Sequence, residues 1–165
     1  MEIDFDNTLF HFIRNPYDIR LNRILDHGAI LSRKKQRAIF GENFNDFRKL
    51  NWNDDDYVSV ASSANKAEEI NSMESFVMYG SRCVGVMLDK NCIEIGTRNE
   101  FHQKLGGEIQ IKDSIPKKYF TGICVPQTNC AEQVKQDITN VLKMKNLALP
   151  VFTLKIEEWI KSQLA

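Results

Sequence analysis

The sequence GEIQIKDSIPKKYFTGICVP, residues 107–126, decides the fold. Its first part, EIQIK at 108–112, alternates polar and apolar residues and predicts a strand. The two isoleucines of this strand are expected to face the core, and Glu108, which follows two glycines, to face the other way. A second strand is predicted at 119–125, beyond Pro116. Glu108 is therefore a carboxylate at the very start of a strand.

Apolar patterning on either side of this stretch predicts the remaining elements. Strands are expected at 8–13, 57–62, 83–88, 92–95 and 151–154, and helices at about 15–28, 129–145 and 156–163. Residues 32–56 are expected to form a long polar excursion with a short helix near 43–50, and residues 65–79 to be helical or partly looped. Because strands outnumber helices and no Pro-, Gly- or Ser-rich linker divides the chain, we predict one α+β domain over residues 1–165.

The composition is that of an ordinary globular chain, with 165 residues of which 42% are hydrophobic and 27% charged. These fractions exclude wholesale disorder, collagen-like repeats and coiled-coil rods. The 22 Lys and Arg residues balance the 22 Asp and Glu residues. With no net charge to attract a polyanion, only a local basic patch could bind one.

Neither a membrane span nor a metal site is expected. No segment has the roughly 20 apolar residues that cross a bilayer, and the opening MEIDFDNTLF carries acids where a secretory signal carries bases. We expect a cytoplasmic chain, although delivery into a host or target cell by a specialised secretion system would leave no such mark. Cys83, Cys92, Cys124 and Cys130 form no C-x-x-C pair, which favours reduced core thiols over a disulfide or zinc set.

Three residues stand out from a purely structural pattern. His11 lies mid-strand between two phenylalanines and is expected to point to the face opposite theirs. Ser59 lies in the strand YVSVAS on the same side as Tyr57, where a small side chain leaves room for a flat group. Each of these, and Glu108, has a structural explanation when taken alone: a satisfied core histidine, an ordinary strand serine and a solvent-facing carboxylate. Their order along the chain is what favours a functional interpretation.

This order of features resembles the ADP-ribosyltransferase superfamily. The residues that carry the resemblance are Leu9 and His11; Ile24, Leu25 and Gly28; Tyr57 and Ser59; and Gly107 through Pro126. The last stretch is the most specific, because the superfamily has a catalytic Glu strand, an Ile-Pro step and a strand ending in G-I-x-V-P. The resemblance covers most of residues 9–153 and is to small bacterial effector-like or toxin-like enzymes. It implies an α+β fold with a split, mostly antiparallel β core and flanking helices, and NAD as co-substrate without a metal.

The resemblance also assigns roles to individual residues. Glu108 would be catalytic, because a carboxylate on the ribose 2-hydroxyl stabilises the positive charge that develops when the nicotinamide–ribose bond breaks. Ser59 would support Glu108 or the nicotinamide side. His11 would hydrogen-bond the adenosine ribose or orient the cofactor, and Tyr57 could stack on nicotinamide.

The basic run SRKKQR, residues 32–37, admits two interpretations. It is either a solvated loop or a source of phosphate contacts, in which case Arg33 is our choice for the pyrophosphate of NAD because arginine binds it in a bidentate way. An aromatic group follows the run, and we expect it to form a small satellite core rather than a base-stacking platform. Its members are Phe40, Phe44, Phe47 and Trp52.

The leading function is mono-ADP-ribosyl transfer to a protein acceptor by a bacterial effector or toxin. Position 106 is Gly where many arginine-modifying enzymes have Glu or Gln two residues before the catalytic Glu, so arginine is a disfavoured acceptor. The first alternative is NAD-dependent modification of nucleic acid, either ADP-ribosylation of DNA or RNA or removal of an RNA 2′-phosphate. The second is a degenerate, non-enzymatic domain of the same fold that binds a protein. Nothing in the sequence specifies an oligomeric state.

Overall fold

The structure is a computed structural model that describes residues 2–13, 17–41, 56–62, 84–97, 108–127 and 130–154. These residues form strands and helices at the following bounds. The strands are β1 (Thr8–Ile13), β2 (Ala29–Leu31), β3 (Tyr57–Ser62), β4 (Val84–Asp89), β5 (Glu108–Lys112), β6 (Ser114–Pro116), β7 (Phe120–Pro126) and β8 (Val151–Leu154). The helices are α1 (Tyr17–His27), α2 (Arg33–Phe40) and α3 (Ala131–Met144), and short 3-10 turns lie at Phe5–Asn7, Lys90–Ile95 and Lys117–Tyr119.

Two sheets organise these elements. The larger has six strands in the order β5-β3-β1-β4-β7-β8, and the smaller pairs β2 with β6. Every pairing is antiparallel except that of β7 with β8, which is parallel. The prediction of a split, mostly antiparallel β core with flanking helices is confirmed.

The split lies in the larger sheet between β1 and β3. Strand β1 pairs with β4 along its whole length, from Thr8 to Ile13. It pairs with β3 at two positions only, Leu9 with Ser62 and Phe10 with Ala61. Past this last pair, β1 continues forward to Ile13 and β3 extends back to Tyr57. The two strands therefore diverge from His11 onward and leave an opening in the middle of the sheet.

Apolar side chains cover both faces of this sheet. Alternation along β1 sends Leu9 and Ile13 into the larger core cluster, and Phe10 and Phe12 into the smaller one. The larger cluster is completed by α1 and α3, which contribute Leu21, Leu25, Val134, Ile138 and Leu142. Their periodic spacing is the helical pattern seen in the sequence.

Most of the predicted elements are confirmed. β1, β3, β5 and β8 have the predicted bounds, while α1, α3, β4 and β7 lie within two residues of theirs. Gly28 ends α1 with a φ of 76°, which suits a residue without a side chain. Among the cysteines, Cys92 and Cys124 are buried and Cys130 is half-buried. The predictions for residues 43–50, 65–79 and 156–163, and for Cys83, lie outside the described residues.

Two sequence predictions are wrong. Residues 92–95 form a 3-10 turn instead of a strand, because the Asp89 carboxylate accepts a hydrogen bond of 2.8 Å from the backbone N–H of Asn91 and starts a tight turn there. The polar excursion at 32–56 begins with the regular helix α2. This helix was missed because its sequence is charged and its apolar content is low. The three-residue strands β2 and β6, which pair with each other, were also missed.

None of the described helices is long and apolar enough to cross a membrane.

Gly85 lies in a tightly packed part of the sheet, and this packing yields a stability prediction. A Cβ placed there would lie 2.6 Å from Cys124 Sγ and 2.9 Å from Phe12 Cε1. Replacing a strand glycine by alanine normally raises the free energy of unfolding by about 0.5–1 kcal/mol. Here the cost of overpacking should exceed that gain. We expect Gly85→Ala to lower the free energy of unfolding by about 1–3 kcal/mol in urea denaturation. Thr121→Ala, at an exposed position on β7, is the control and should stay within about 0.5 kcal/mol; a Gly85→Ala protein as stable as wild type contradicts this packing.

Candidate active site

The opening between β1 and β3 leads into a cleft of about 290 Å³. Strand β1 lines it with residues 11–13, and β3 lines it with residues 57–59. These are the segments of the two strands that lie beyond their last shared pair. The cleft is therefore a direct product of the split sheet, and backbone as well as side-chain groups of both strands border it.

One face of α1 and one face of α2 form the other walls of the cleft. Their lining residues are Arg20, Arg23 and Ile24 on α1, and Arg33, Gln36, Arg37 and Phe40 on α2. Spacings of three and four residues place side chains on the same side of a helix. Both helices thus present a continuous stripe to the cleft, and the stripe on α2 is cationic with an aromatic ring at its end.

The cleft concentrates positive charge in a chain of zero net charge. Four arginines line it, and no Asp or Glu lies among the described lining residues. Guanidinium groups form paired hydrogen bonds with phosphate oxygens. The walls therefore fit a ligand that carries phosphate groups.

Local hydrogen bonds hold α2 in this position. Ser32, only 1% exposed, caps the helix by accepting from the Lys35 N–H at 3.3 Å. Its own N–H donates to the carbonyl of Asp113 at 2.9 Å, which ties the helix start to the turn between β5 and β6. Gln36 Nε2 donates to the Leu31 carbonyl at 2.8 Å. As a result, Arg33 faces the cleft while the neighbouring Lys34 pairs with Asp56 at 3.3 Å on the exposed side.

His11 spans the split between the two strands. Its Nδ1 lies 2.8 Å from the backbone carbonyl oxygen of Ser59. A carbonyl oxygen only accepts hydrogen bonds, so Nδ1 carries the proton, and Nε2 of the neutral ring is an acceptor. Burial lowers the pKa of His11 below its usual value of 6.5; the contact with Ser59 opposes this effect, and the charge of Arg20 adds to it. The imidazole is therefore held neutral near pH 7 in a single tautomer.

The predicted site residues come together as follows. His11, Ser59, Tyr57 and Arg33 all line the cleft; Ser59 is exposed and Tyr57 is half-buried. For Glu108 the structure describes the backbone, which pairs with Ala61 of β3 at the start of β5. Two residues along, Gln110 pairs with Ser59 and connects this strand to the cleft wall.

Sequence reasoning missed Arg20, Arg23 and Gln36, and interpreted the surroundings of Arg37 as a loop. The signal was present as two helical spacings, R-x-x-R-I at 20–24 and R-x-x-Q-R-x-x-F at 33–40. Because the second segment was interpreted as a loop, its residues were not placed on one face of a helix. Of the predicted aromatic cluster, only Phe40 is described, and it lines the cleft.

No group of three or more His, Cys, Asp or Glu residues that could hold a metal occurs in the described part of the chain.

The mostly antiparallel sheet and its flanking helices are those of the ADP-ribosyltransferase fold. Solved structures of DarT from Thermus sp. 2.9 align with nearly the whole chain. The complex with NAD⁺ has a TM-score of 0.59 at 10% identity, covering 96% of this chain and 99% of that one. The complex with carba-NAD⁺ has the same score and identity over 95% and 99%, and the complex with ADP-ribosylated single-stranded DNA has a TM-score of 0.58 at 13% identity over 96% and 99%.

The sequence itself matches no protein-family profile and no curated protein. At identities of 10–13% the likeness to DarT establishes the fold. The fold implied by the sequence motifs is thereby confirmed.

The lowered pKa of His11 predicts a pH dependence of stability. Above pH 6.5 the ring is neutral in both the folded and the unfolded chain. Below pH 6.5 the unfolded chain takes up the proton first, so the free energy of unfolding contributed by His11 falls as the pH falls, by at most about 1.4 kcal/mol per pH unit. We expect wild type to lose more stability than His11→Asn between pH 6.5 and pH 5 in urea denaturation. Parallel curves for the two proteins would contradict a His11 ring that is held neutral in the folded chain.

Proposed function

We propose that this chain is an NAD-dependent ADP-ribosyltransferase and that its acceptor is a base of single-stranded DNA. The observation that carries the proposal is the cationic cleft that opens from the split between β1 and β3, lined by four arginines and by His11. It occurs in a chain with the ADP-ribosyltransferase fold, whose neighbour DarT is seen with NAD⁺ and with ADP-ribosylated single-stranded DNA.

The cleft fits the parts of NAD one by one. The pyrophosphate needs guanidinium groups that form paired hydrogen bonds with its oxygens, and Arg33 and Arg37 supply them from one face of α2. A ribose hydroxyl needs an acceptor, and Nε2 of the neutral His11 is one. Nicotinamide is a flat ring, and the opening between the strands beside Tyr57 and Ser59 can admit it.

The reaction breaks the bond between the anomeric carbon of the ribose and the nicotinamide nitrogen. Nicotinamide leaves with the electron pair, a lone pair of the acceptor base forms the new bond to that carbon, and the proton displaced from the base passes to a carboxylate or to water. Positive charge builds up on the sugar in between, so a carboxylate near it accelerates the step. Glu108, at the start of the strand that pairs with β3, is our candidate for this group.

DNA is preferred here over the protein acceptor favoured by the sequence. Support comes from the DarT complex with ADP-ribosylated single-stranded DNA. Gly106, in place of the acid or amide that precedes the catalytic Glu in many arginine-modifying enzymes, agrees with this choice. Modification of DNA is also compatible with the toxin class that the motifs suggested. It requires that single-stranded DNA be accessible to the enzyme.

The first test uses NAD labelled in the adenosine phosphate and single-stranded oligonucleotides that contain all four bases. Wild type should transfer label to the oligonucleotide and release nicotinamide. Glu108→Gln should lower the rate by about 100- to 1000-fold, because it removes the charge that stabilises the sugar cation. Glu132→Gln, an exposed glutamate in the first turn of α3, is the matched control and should keep the wild-type rate.

Label found only on proteins of a lysate would overturn the DNA acceptor and restore the protein acceptor. Absence of nicotinamide release in the presence of both DNA and lysate would overturn the enzymatic function itself. Homopolymeric oligonucleotides then identify the base that accepts ADP-ribose.

The arginines give a second, independent prediction. Arg33→Ala should raise the KM for NAD about 10-fold or more, because a charged hydrogen bond to phosphate contributes about 1.5–3 kcal/mol. Its neighbour Lys34 points away from the cleft into an exposed ion pair with Asp56, so Lys34→Ala should leave KM within about twofold. Steady-state nicotinamide release measures both. Equal effects of the two substitutions would argue against a phosphate site on this face of α2.

A further inference from the structure

Phe40 is an unusual residue for the wall of a charged cleft. It is the last residue of α2, it lines the cleft, and 41% of its surface is exposed. An aromatic side chain in the wall of a cleft offers a flat apolar surface to a ligand, in addition to its contacts within the protein. Its role is not explained by the arginine contacts to phosphate.

Two residues of α1 fix the Phe40 ring. The guanidinium carbon of Arg23 lies 5.5 Å from the ring centroid, in a cation–π arrangement. The His27 ring meets Phe40 edge to face, with centroids 6.3 Å apart and planes inclined by 70°. Arg23 and His27 are one helical turn apart, so one face of α1 sets the ring orientation. The ring is thus a preformed part of the cleft wall.

The position of Phe40 along α2 relates it to the phosphate site. Phe40 follows Arg37 by three residues on the same helix face, about 4.5 Å farther along the axis. A nucleotide whose phosphate is held by Arg37 carries its base at the end of a ribose, beyond the phosphate. The base would then lie against an aromatic ring, the arrangement that stabilises unpaired bases in proteins.

We propose that Phe40, held by Arg23 and His27, is a stacking platform for the adenine of NAD. The inference rests on the proposed function, since it assumes that the arginines of α2 bind the pyrophosphate to which that adenosine is joined. A base of the acceptor strand has the same flat aromatic chemistry. Adenine is the choice here because the phosphate-binding arginines and Phe40 belong to one stripe of one helix.

The platform is tested by direct binding of ADP-ribose, measured by calorimetry, without any need for turnover. Phe40→Ala should weaken the binding of ADP-ribose about 5- to 100-fold, the usual effect of removing one base-stacking ring. Binding of inorganic pyrophosphate, which has no base, should change less than about twofold. Phe40→Trp should restore ADP-ribose binding, and its indole fluorescence should be quenched when the adenine stacks on it.

Ile39→Ala is the matched control, because Ile39 precedes Phe40 on α2 and is 50% exposed but does not line the cleft. It should bind ADP-ribose like wild type. A Phe40→Ala protein that binds ADP-ribose like wild type overturns the platform and leaves the proposed function intact. Weakened binding of a dT oligonucleotide with unchanged ADP-ribose binding overturns the assignment to adenine and gives the ring to the acceptor strand. Failure of wild type to bind ADP-ribose overturns the NAD site and the platform together.

Discussion

The divergence of β1 from β3 after Phe10 is the constraint on which the rest of the structure depends. Strands that stop pairing inside a sheet expose backbone donors and acceptors, which are costly to leave without partners. His11 compensates for part of this cost by donating from Nδ1 across the gap to the Ser59 carbonyl. The same contact selects the tautomer of the ring and leaves Nε2 as an acceptor. One hydrogen bond therefore holds the gap at a defined width and prepares a recognition group beside it.

The two helices around this gap combine phosphate recognition with precise placement. α1 is held by apolar residues in the core and keeps its arginines on the face that turns toward the cleft. α2 has little apolar surface, and hydrogen bonds at Ser32 and Gln36 anchor it instead. Because these anchors involve the helix start, Arg33 at that start and Arg37 one turn later are fixed in direction. A chain with no net charge can in this way present a strongly positive site.

The sequence predicted those parts of the fold in which one physical signal dominates. Strands such as TLFHFI and YVSVAS are apolar or alternating, and both lie where they were expected. α2 was missed because its residues are charged and its stability depends on a cap and on contacts that only the folded chain provides. The turn at 90–95 was missed because a single Asp89 contact overrode an apolar run. For the site, the motif residues on β1 and β3 could be found by family resemblance. The arginines of α1 have helical spacing in the sequence, but the sequence does not show that α1 and α2 face the same opening.

The turn between β5 and β6 has a consequence for how this sequence can vary. Asp113 occupies the left-handed region with a φ of 66°, accepts from Ser32 N–H at 2.9 Å and donates its own N–H to Asp56 at 2.7 Å. Both of these contacts are made by backbone atoms, so the geometry of this corner depends on conformation and not on the side chain. Asn and Gly adopt the same conformation readily, whereas a β-branched residue does not. Among distant homologues, position 113 should therefore favour Asp, Asn and Gly although it does not line the cleft, and it would mark this turn in sequences whose catalytic motifs have diverged.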